Sequence, residues 1–113
     1  MQLNNADKMA INISEKFSDY FNEKIENISI SETTSTPYTM FTIQFTMYNY
    51  FNIIFNYNRD AFGCSIVQGD VGIKLKNSQK WYDKADMNVF FKELQQQLEL
   101  RIPDKFLEYN GWK

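Results

Sequence analysis

The chain has 113 residues, the size of one domain, and folding at this length buries roughly two thirds of the surface of the extended chain. Its ten Phe, seven Tyr and two Trp exclude a disordered or low-complexity chain, because they supply the apolar area that offsets ordering entropy. A formal charge of −2, with Arg59 and Arg101 as the only arginines, argues against nucleic-acid binding, which needs clustered cations. One domain, residues 1–113, is therefore predicted.

The first predicted element is an amphipathic helix over residues 5–28. Apolar side chains recur there every three or four positions, and the charged side chains lie off that stripe. Asn4 or Asn5 could cap its first turn, since a short polar side chain satisfies an otherwise unpaired backbone N–H. The apolar positions are Met9, Ile13, Phe17, Phe21, Ile25 and Ile28.

A run of strands follows. Residues 29–37 are rich in Ser and Thr and end at Pro37, which predicts a short edge strand and a loop. Four strands with apolar and polar residues in alternation come next, joined by tight turns at residues 48–50, 58–60 and 68–70. Their apolar positions are Phe41, Ile43, Phe45 and Met47; Phe51, Ile53, Phe55 and Tyr57; Phe62, Cys64 and Ile66; and Val71, Ile73 and Leu75.

Helical periodicity returns near the C-terminus. Residues 77–84 form a predicted polar loop, and Asp86 is placed to cap the helix that follows. Pro103 ends this helix and starts a short one, which stops at Asn110 and Gly111. The apolar stripe consists of Met87, Phe90, Phe91, Leu94, Leu98 and Ile102.

Both helices need a partner for their apolar stripes, and one face of the sheet provides it. We predict an α+β two-layer sandwich, with the N-terminal and C-terminal helices packed on one face of a four- or five-stranded antiparallel sheet. The opposite face is expected to be open to solvent or to a partner. It carries Thr42, Gln44, Thr46, Asn52, Ile54, Asn56 and Ser65.

The chemistry of the chain is sparse. It contains no histidine, which removes the commonest general base, and the aspartates Asp60, Asp70, Asp83 and Asp86 fall in predicted turns and caps. The single cysteine, Cys64, lies in an apolar segment and can form neither an internal disulfide nor a cysteine zinc site. We therefore predict no enzyme, no metal and no cofactor. The absence of a signal pattern and of a long apolar run predicts a cytoplasmic protein without membrane association.

Large amphipathic rings are more numerous than a chain of this size is expected to bury. Tyr and Trp dominate the hot spots of protein interfaces, so some rings could line a binding patch. Equally, they could close the ends of a small core. The rings in question are Tyr48, Tyr50, Tyr57, Trp81, Tyr82 and Trp112.

The run LELRIPDKFL at residues 98–107, closing with Asn110, Gly111 and Trp112, resembles the tail of small immunity proteins. Such proteins are encoded beside the toxins of bacterial contact-dependent growth inhibition and related polymorphic toxin systems. The resemblance implies a non-enzymatic inhibitor, monomer or homodimer, that binds the cognate toxin's C-terminal domain in the cytoplasm. The tail itself is interpreted as structural, with Phe106 and Trp112 packing.

Toxins of these systems are often nucleases, which present positive charge to their substrate. The resemblance therefore implies a binding surface with carboxylates, which speed association and select the partner. Those in predicted loops and turns are the candidates, because a scaffold projects such segments outward. They are Glu32, Asp60, Asp70, Asp83 and Asp86.

Two other function classes stay open. A secretion chaperone is also a small acidic α+β protein, but it holds an unfolded effector segment, usually as a homodimer. A small carboxylate-dependent enzyme would show turnover that an Asp or Glu substitution removes.

Overall fold

The computed structural model describes residues 5–59, 61–68, 71–74, 80–81 and 87–112. This part of the chain forms helices at both ends and a run of strands between them. The elements are α1 (Asn5–Phe21), β1 (Ile25–Thr34), β2 (Met40–Met47), β3 (Phe51–Asn58), β4 (Ala61–Gln68), β5 (Val71–Lys74), β6 (Lys80–Trp81), α2 (Met87–Leu100) and α3 (Asp104–Tyr109).

The strands form one antiparallel sheet in the order β1-β2-β3-β4-β5. Strand β6 pairs with β4 at Ala61 and Phe62, beyond the stretch of β4 that β5 occupies. The sequence prediction placed these two residues of β6 in a loop, since a strand of two residues shows no alternation.

Both long helices cover the same face of the sheet. The ring of Phe17 on α1 lies 4.8 Å from that of Phe45 on β2 and 4.8 Å from that of Phe91 on α2. On α2, the ring of Phe90 lies 5.1 Å from that of Phe62 on β4. The two helices therefore contact the sheet and each other, and the predicted α+β sandwich is confirmed.

The predicted end of the first helix is wrong. Helix α1 ends at Phe21, a 3₁₀ turn covers Asn22–Lys24, and strand β1 begins at Ile25, which pairs with Met47 of β2. The spacing of Ile25 and Ile28 continues the helical stripe, but Asn22 has a φ of +52°, which interrupts the helix. The edge strand predicted to be short is consequently ten residues long.

Two bulges interrupt β1. The register shifts between Glu26 and Ser29 and again between Ser31 and Thr34. Each interval contains a residue with left-handed backbone, Asn27 at φ +57° and Glu32 at φ +55°. Bulges kink a strand and discourage pairing with other chains, so they protect this edge of the sheet.

The β2–β3 turn is fastened to the helices by Tyr48. Tyr48 and Asn49 both have positive φ, the pattern of a type I′ hairpin turn, and the N–H of Tyr50 donates to the carbonyl of Met47 at 3.0 Å. The ring of Tyr48 is fully buried, and its hydroxyl donates to Glu99 Oε2 on α2 at 2.7 Å. Burial, and then the neighbouring Glu99 carboxylate, raise the pKa of Tyr48 above its ordinary value.

Most of the described large rings close the core. Tyr48 and Tyr57 are buried, and Trp112 packs edge-on against Tyr48 with centroids 5.4 Å apart. Tyr50 is 42 % exposed, yet its ring contacts that of Phe106 at 5.1 Å. The side chain of Trp81 and the whole of Tyr82 lie outside the described residues.

The end of the chain is a compact cap. The N–H of Trp112 donates to the carbonyl of Leu107 at 2.9 Å, and that of Gly111 donates to the carbonyl of Glu108 at 3.0 Å. With Gly111 at φ +75°, this is the Schellman motif, which satisfies the last carbonyls of α3. The predicted packing of Phe106 and Trp112 is confirmed. None of the helices in the described ranges combines the length and apolar character needed to span a bilayer.

Candidate functional site

The described helices leave the second face of the sheet uncovered, and this open face is the candidate site. Antiparallel pairing aligns its residues in rows across β2, β3 and β4, most of them amide or hydroxyl side chains. With Asn27 and Ser29 of β1, part of the face forms a shallow concavity of about 400 Å³. The rows are Thr46, Asn52 and Val67; Gln44, Ile54 and Ser65; and Thr42, Asn56 and Gly63.

Glu32 lies at the β1 side of the open face. Its carboxylate oxygen Oε2 is 3.1 Å from the hydroxyl of Thr42, and the same hydroxyl is 3.0 Å from the side-chain amide of Asn56. The nearest atom of that amide is Oδ1, an acceptor, so the one hydroxyl hydrogen of Thr42 is donated either to Asn56 or to Glu32, whose charged carboxylate is the stronger acceptor. The hydrogen bond from Thr42 orients the exposed carboxylate of Glu32 over the sheet.

The backbone of Glu32 adds a second observation. Left-handed φ costs a residue with a Cβ roughly 1–2 kcal/mol, and glycine or asparagine avoids most of that cost. The second bulge nonetheless places a glutamate there. Strain retained at one position is a reason to look for a role outside folding.

Of the five carboxylates proposed from the sequence, the structure locates only Glu32. Asp60, Asp70, Asp83 and Asp86 lie outside the described residues, so their positions stay predictions. The sequence missed Glu26, which is exposed and pairs with Thr46, because the predicted helix extended through it. No local pattern marks Glu26 until the true start of β1 is known.

The surface beside the open face is acidic. Residues 15–34, from the second half of α1 to the end of β1, carry five carboxylates and two lysines. Two of those carboxylates, Glu26 and Glu32, are exposed on β1, the strand at the edge of the open face. A surface of this sign attracts a basic partner and raises its rate of association.

The cysteine thiol of Cys64 is buried. Burial raises the pKa of the Cys64 thiol to about 12, so this sulfur stays protonated at neutral pH and is a poor nucleophile. Among the described residues, no three His, Cys, Asp or Glu side chains come together in a way that could hold a metal ion. What the described part of the open face offers a ligand is hydrogen bonding and negative charge.

No family model, curated protein or solved structure matches this chain. Its function must therefore be inferred from its own residues.

Proposed function

We propose that the chain is a non-enzymatic immunity protein that binds and neutralises a cognate toxin effector domain in the cytoplasm. The observation that supports this most directly is an uncovered sheet face with an oriented carboxylate, Glu32, and an acidic edge beside it. The resemblance of residues 98–107 to the tails of immunity proteins agrees with it.

The open face suits a folded partner. Its amides and hydroxyls are held by a regular sheet, and several already bond to one another, as Thr46 does to Asn52 at 3.3 Å. A rigid polar surface loses little entropy on binding, so hydrogen bonds and charge pairs contribute more of their energy to affinity. Glu32 needs no reorganisation to accept a partner's guanidinium or ammonium group.

The chain neutralises the toxin by occupying its substrate-binding surface and not by catalysing a reaction. A nuclease toxin presents a basic surface to its substrate, and an acidic inhibitor competes for that surface. Carboxylates at the rim accelerate association, whereas those that become buried in the complex slow dissociation. Inhibition then requires no turnover.

The experiment begins with the open reading frame encoded next to this one. Its C-terminal domain and this chain are co-expressed and co-purified, and nuclease activity and cell survival are assayed with and without this chain. We expect a stable complex of folded domains and loss of toxicity. A neighbouring domain that is harmless in cells lacking this chain would contradict the proposal.

The binding face is tested with paired variants. Glu26→Gln and Glu32→Gln should each weaken the complex by about tenfold, which corresponds to ~1.4 kcal/mol. Glu15→Gln is the matched control, because Glu15 is an exposed carboxylate on α1, which packs on the other face of the sheet. If the control weakens binding as much as the two variants do, the open face is not the interface.

The same two purified proteins distinguish an immunity protein from the alternative, a secretion chaperone. A chaperone should bind a denatured or truncated effector segment at least as well as the folded domain, and should leave the activity of that domain unchanged. Calorimetric titration with both forms measures this directly.

A further inference from the structure

A second concave site lies on the helical side of the molecule, between α2 and α3. It is a cleft of about 630 Å³, within the range of sites that hold small ligands or single side chains. Its apolar lining includes Ile102 and Leu107, which are both buried, and Leu100, which is 78 % exposed. An apolar side chain this exposed beside a cleft offers contact area to whatever binds there.

The polar lining of the cleft is acidic and rich in amides. Glu99 contributes from α2 and Asp104 from the first turn of α3, and none of the described residues that line the cleft is a lysine or an arginine. Gln96 and Gln97 add side-chain amides. Apolar surface, two carboxylates and the amide oxygen of Gln96 are complementary to a cation carried on an aliphatic stem.

Two hydrogen bonds fix the position of the Glu99 carboxylate. Its Oε2 accepts from the hydroxyl of Tyr48 at 2.7 Å and from the side-chain amide of Gln95 at 3.0 Å. Gln95 in turn accepts from the hydroxyl of Tyr20 on α1 at 2.8 Å. Both bonds to Glu99 fall on one oxygen, and none of the described residues donates to Oε1.

We propose that this cleft binds an arginine side chain of a partner protein, with Glu99 as the principal anion and Leu100 covering the aliphatic stem. The guanidinium group fits because its five donors match the carboxylates and the Gln96 amide oxygen better than the three donors of an ammonium group do. Arg101 already bonds the carbonyl and Oε1 of Gln97 at 2.9 Å, so the incoming cation lies on the Glu99 and Asp104 side.

The identification of the ligand's source as a partner protein rests on the proposed immunity function, but the test does not need the toxin. The probe is N-acetyl-arginine-methylamide, titrated into the ¹⁵N-labelled chain and followed by NMR. We expect saturable shifts in the side-chain amides of Gln96 and Gln97 with a dissociation constant of about 1 mM, typical of a single weak contact. The neutral isostere N-acetyl-citrulline-methylamide should produce no saturable shift.

Variants assign the roles. Glu99→Gln should weaken probe binding by about tenfold, the loss of one charge-assisted bond. Tyr48→Phe keeps the anion but removes one group that positions it, so a smaller loss is expected. Glu108→Gln is the control, because Glu108 is an exposed carboxylate on α3 that does not line the cleft.

Equal binding of the citrulline probe, or unchanged binding by Glu99→Gln, overturns the proposal. Should Glu99→Gln fail to fold by circular dichroism, salt dependence replaces it: arginine binding that does not weaken between 20 and about 200 mM salt is not electrostatic. Probe binding together with no toxin complex would refute the immunity function and leave the cleft's specificity intact. A toxin complex without probe binding would refute the arginine specificity of the cleft and leave the immunity function intact.

Discussion

The two faces of the sheet are built from the same strands and differ in almost every other respect. The covered face is buried and aromatic, with Phe17 contacting rings from the sheet and from α2. The open face carries amides, hydroxyls and the Glu32 carboxylate. Because alternate residues of one strand serve both faces, the sheet can be stabilised on one side and left free to change on the other.

Because the two faces carry different side chains, we expect the stability of the fold and the binding of a partner to depend on different residues. Substitutions on the covered face should unfold the protein, whereas those on the open face should alter the complex and leave the fold intact. The following experiments test this separation, beginning with the largest expected effect.

Truncating Phe17 should be the most damaging change. Phe17→Ala removes a fully buried ring at the junction of α1, α2 and the sheet, and a loss of about 3–5 kcal/mol in the free energy of unfolding is expected. Urea denaturation measures it. Ile54→Ala, on the open face, is the control and should cost about 1 kcal/mol or less. Similar losses for the two would mean that the open face is also part of the core.

Alkaline pH tests whether the covered face is dry around Cys64. Burial raises the pKa of this thiol from 9.0 to about 12, so between these values the unfolded chain releases a proton that the folded chain retains. Stability should therefore fall as pH rises, by up to ~1.4 kcal/mol per pH unit. Cys64→Ala removes this contribution and should flatten the curve measured by denaturation between pH 8.5 and about 10. An identical slope in both proteins would mean that the thiol is reached by water.

Tyr48→Phe tests the polar link between the β2–β3 turn and α2. The ring remains, but the bond from its hydroxyl to Glu99 is lost, and a decrease of about 1–2 kcal/mol is expected. Tyr38→Phe provides the control, since Tyr38 is 43 % exposed, and its melting temperature should match that of the unmodified protein. A Tyr48→Phe protein of unchanged melting temperature would show that the link contributes nothing to stability.

Glu32 should give the smallest effect on folding. Glu32→Ala loses the bond from Thr42 and keeps the left-handed backbone, whereas Glu32→Gly loses the same bond but relieves the strain. The glycine variant should be more stable than the alanine variant by about 1 kcal/mol and close to the original protein. If the proposed function is right, both variants should bind the toxin domain poorly. If the Glu32→Gly variant binds the partner normally, Glu32 is not part of the interface.

The accuracy of the sequence prediction differed between the two faces for a physical reason. Alternation in β2, β3 and β4 is regular, so the open face could be predicted residue by residue. Strand β1 contains two bulges, which remove the period of two, and its first isoleucines continue the spacing of α1. The candidate site was therefore predicted in part: Glu32 was found, and Glu26 was hidden inside a predicted helix.

The α2–α3 cleft could not be predicted at all. Residues 96–107 show the helical stripe and the proline that ends it, but nothing local indicates that Glu99 meets Tyr48, 51 positions earlier in the chain. That contact depends on where the β2–β3 turn lies relative to α2. Only the packed structure places these groups together.

The sequence by itself determined the fold class and the covered face, because the periodicity of apolar residues is a local property of the chain. The tertiary structure alone decided where α1 gives way to β1, which carboxylate is oriented over the open face, and which groups line the cleft. Each of these depends on contacts between residues distant in sequence, and on backbone conformations that pairing with a neighbouring strand imposes.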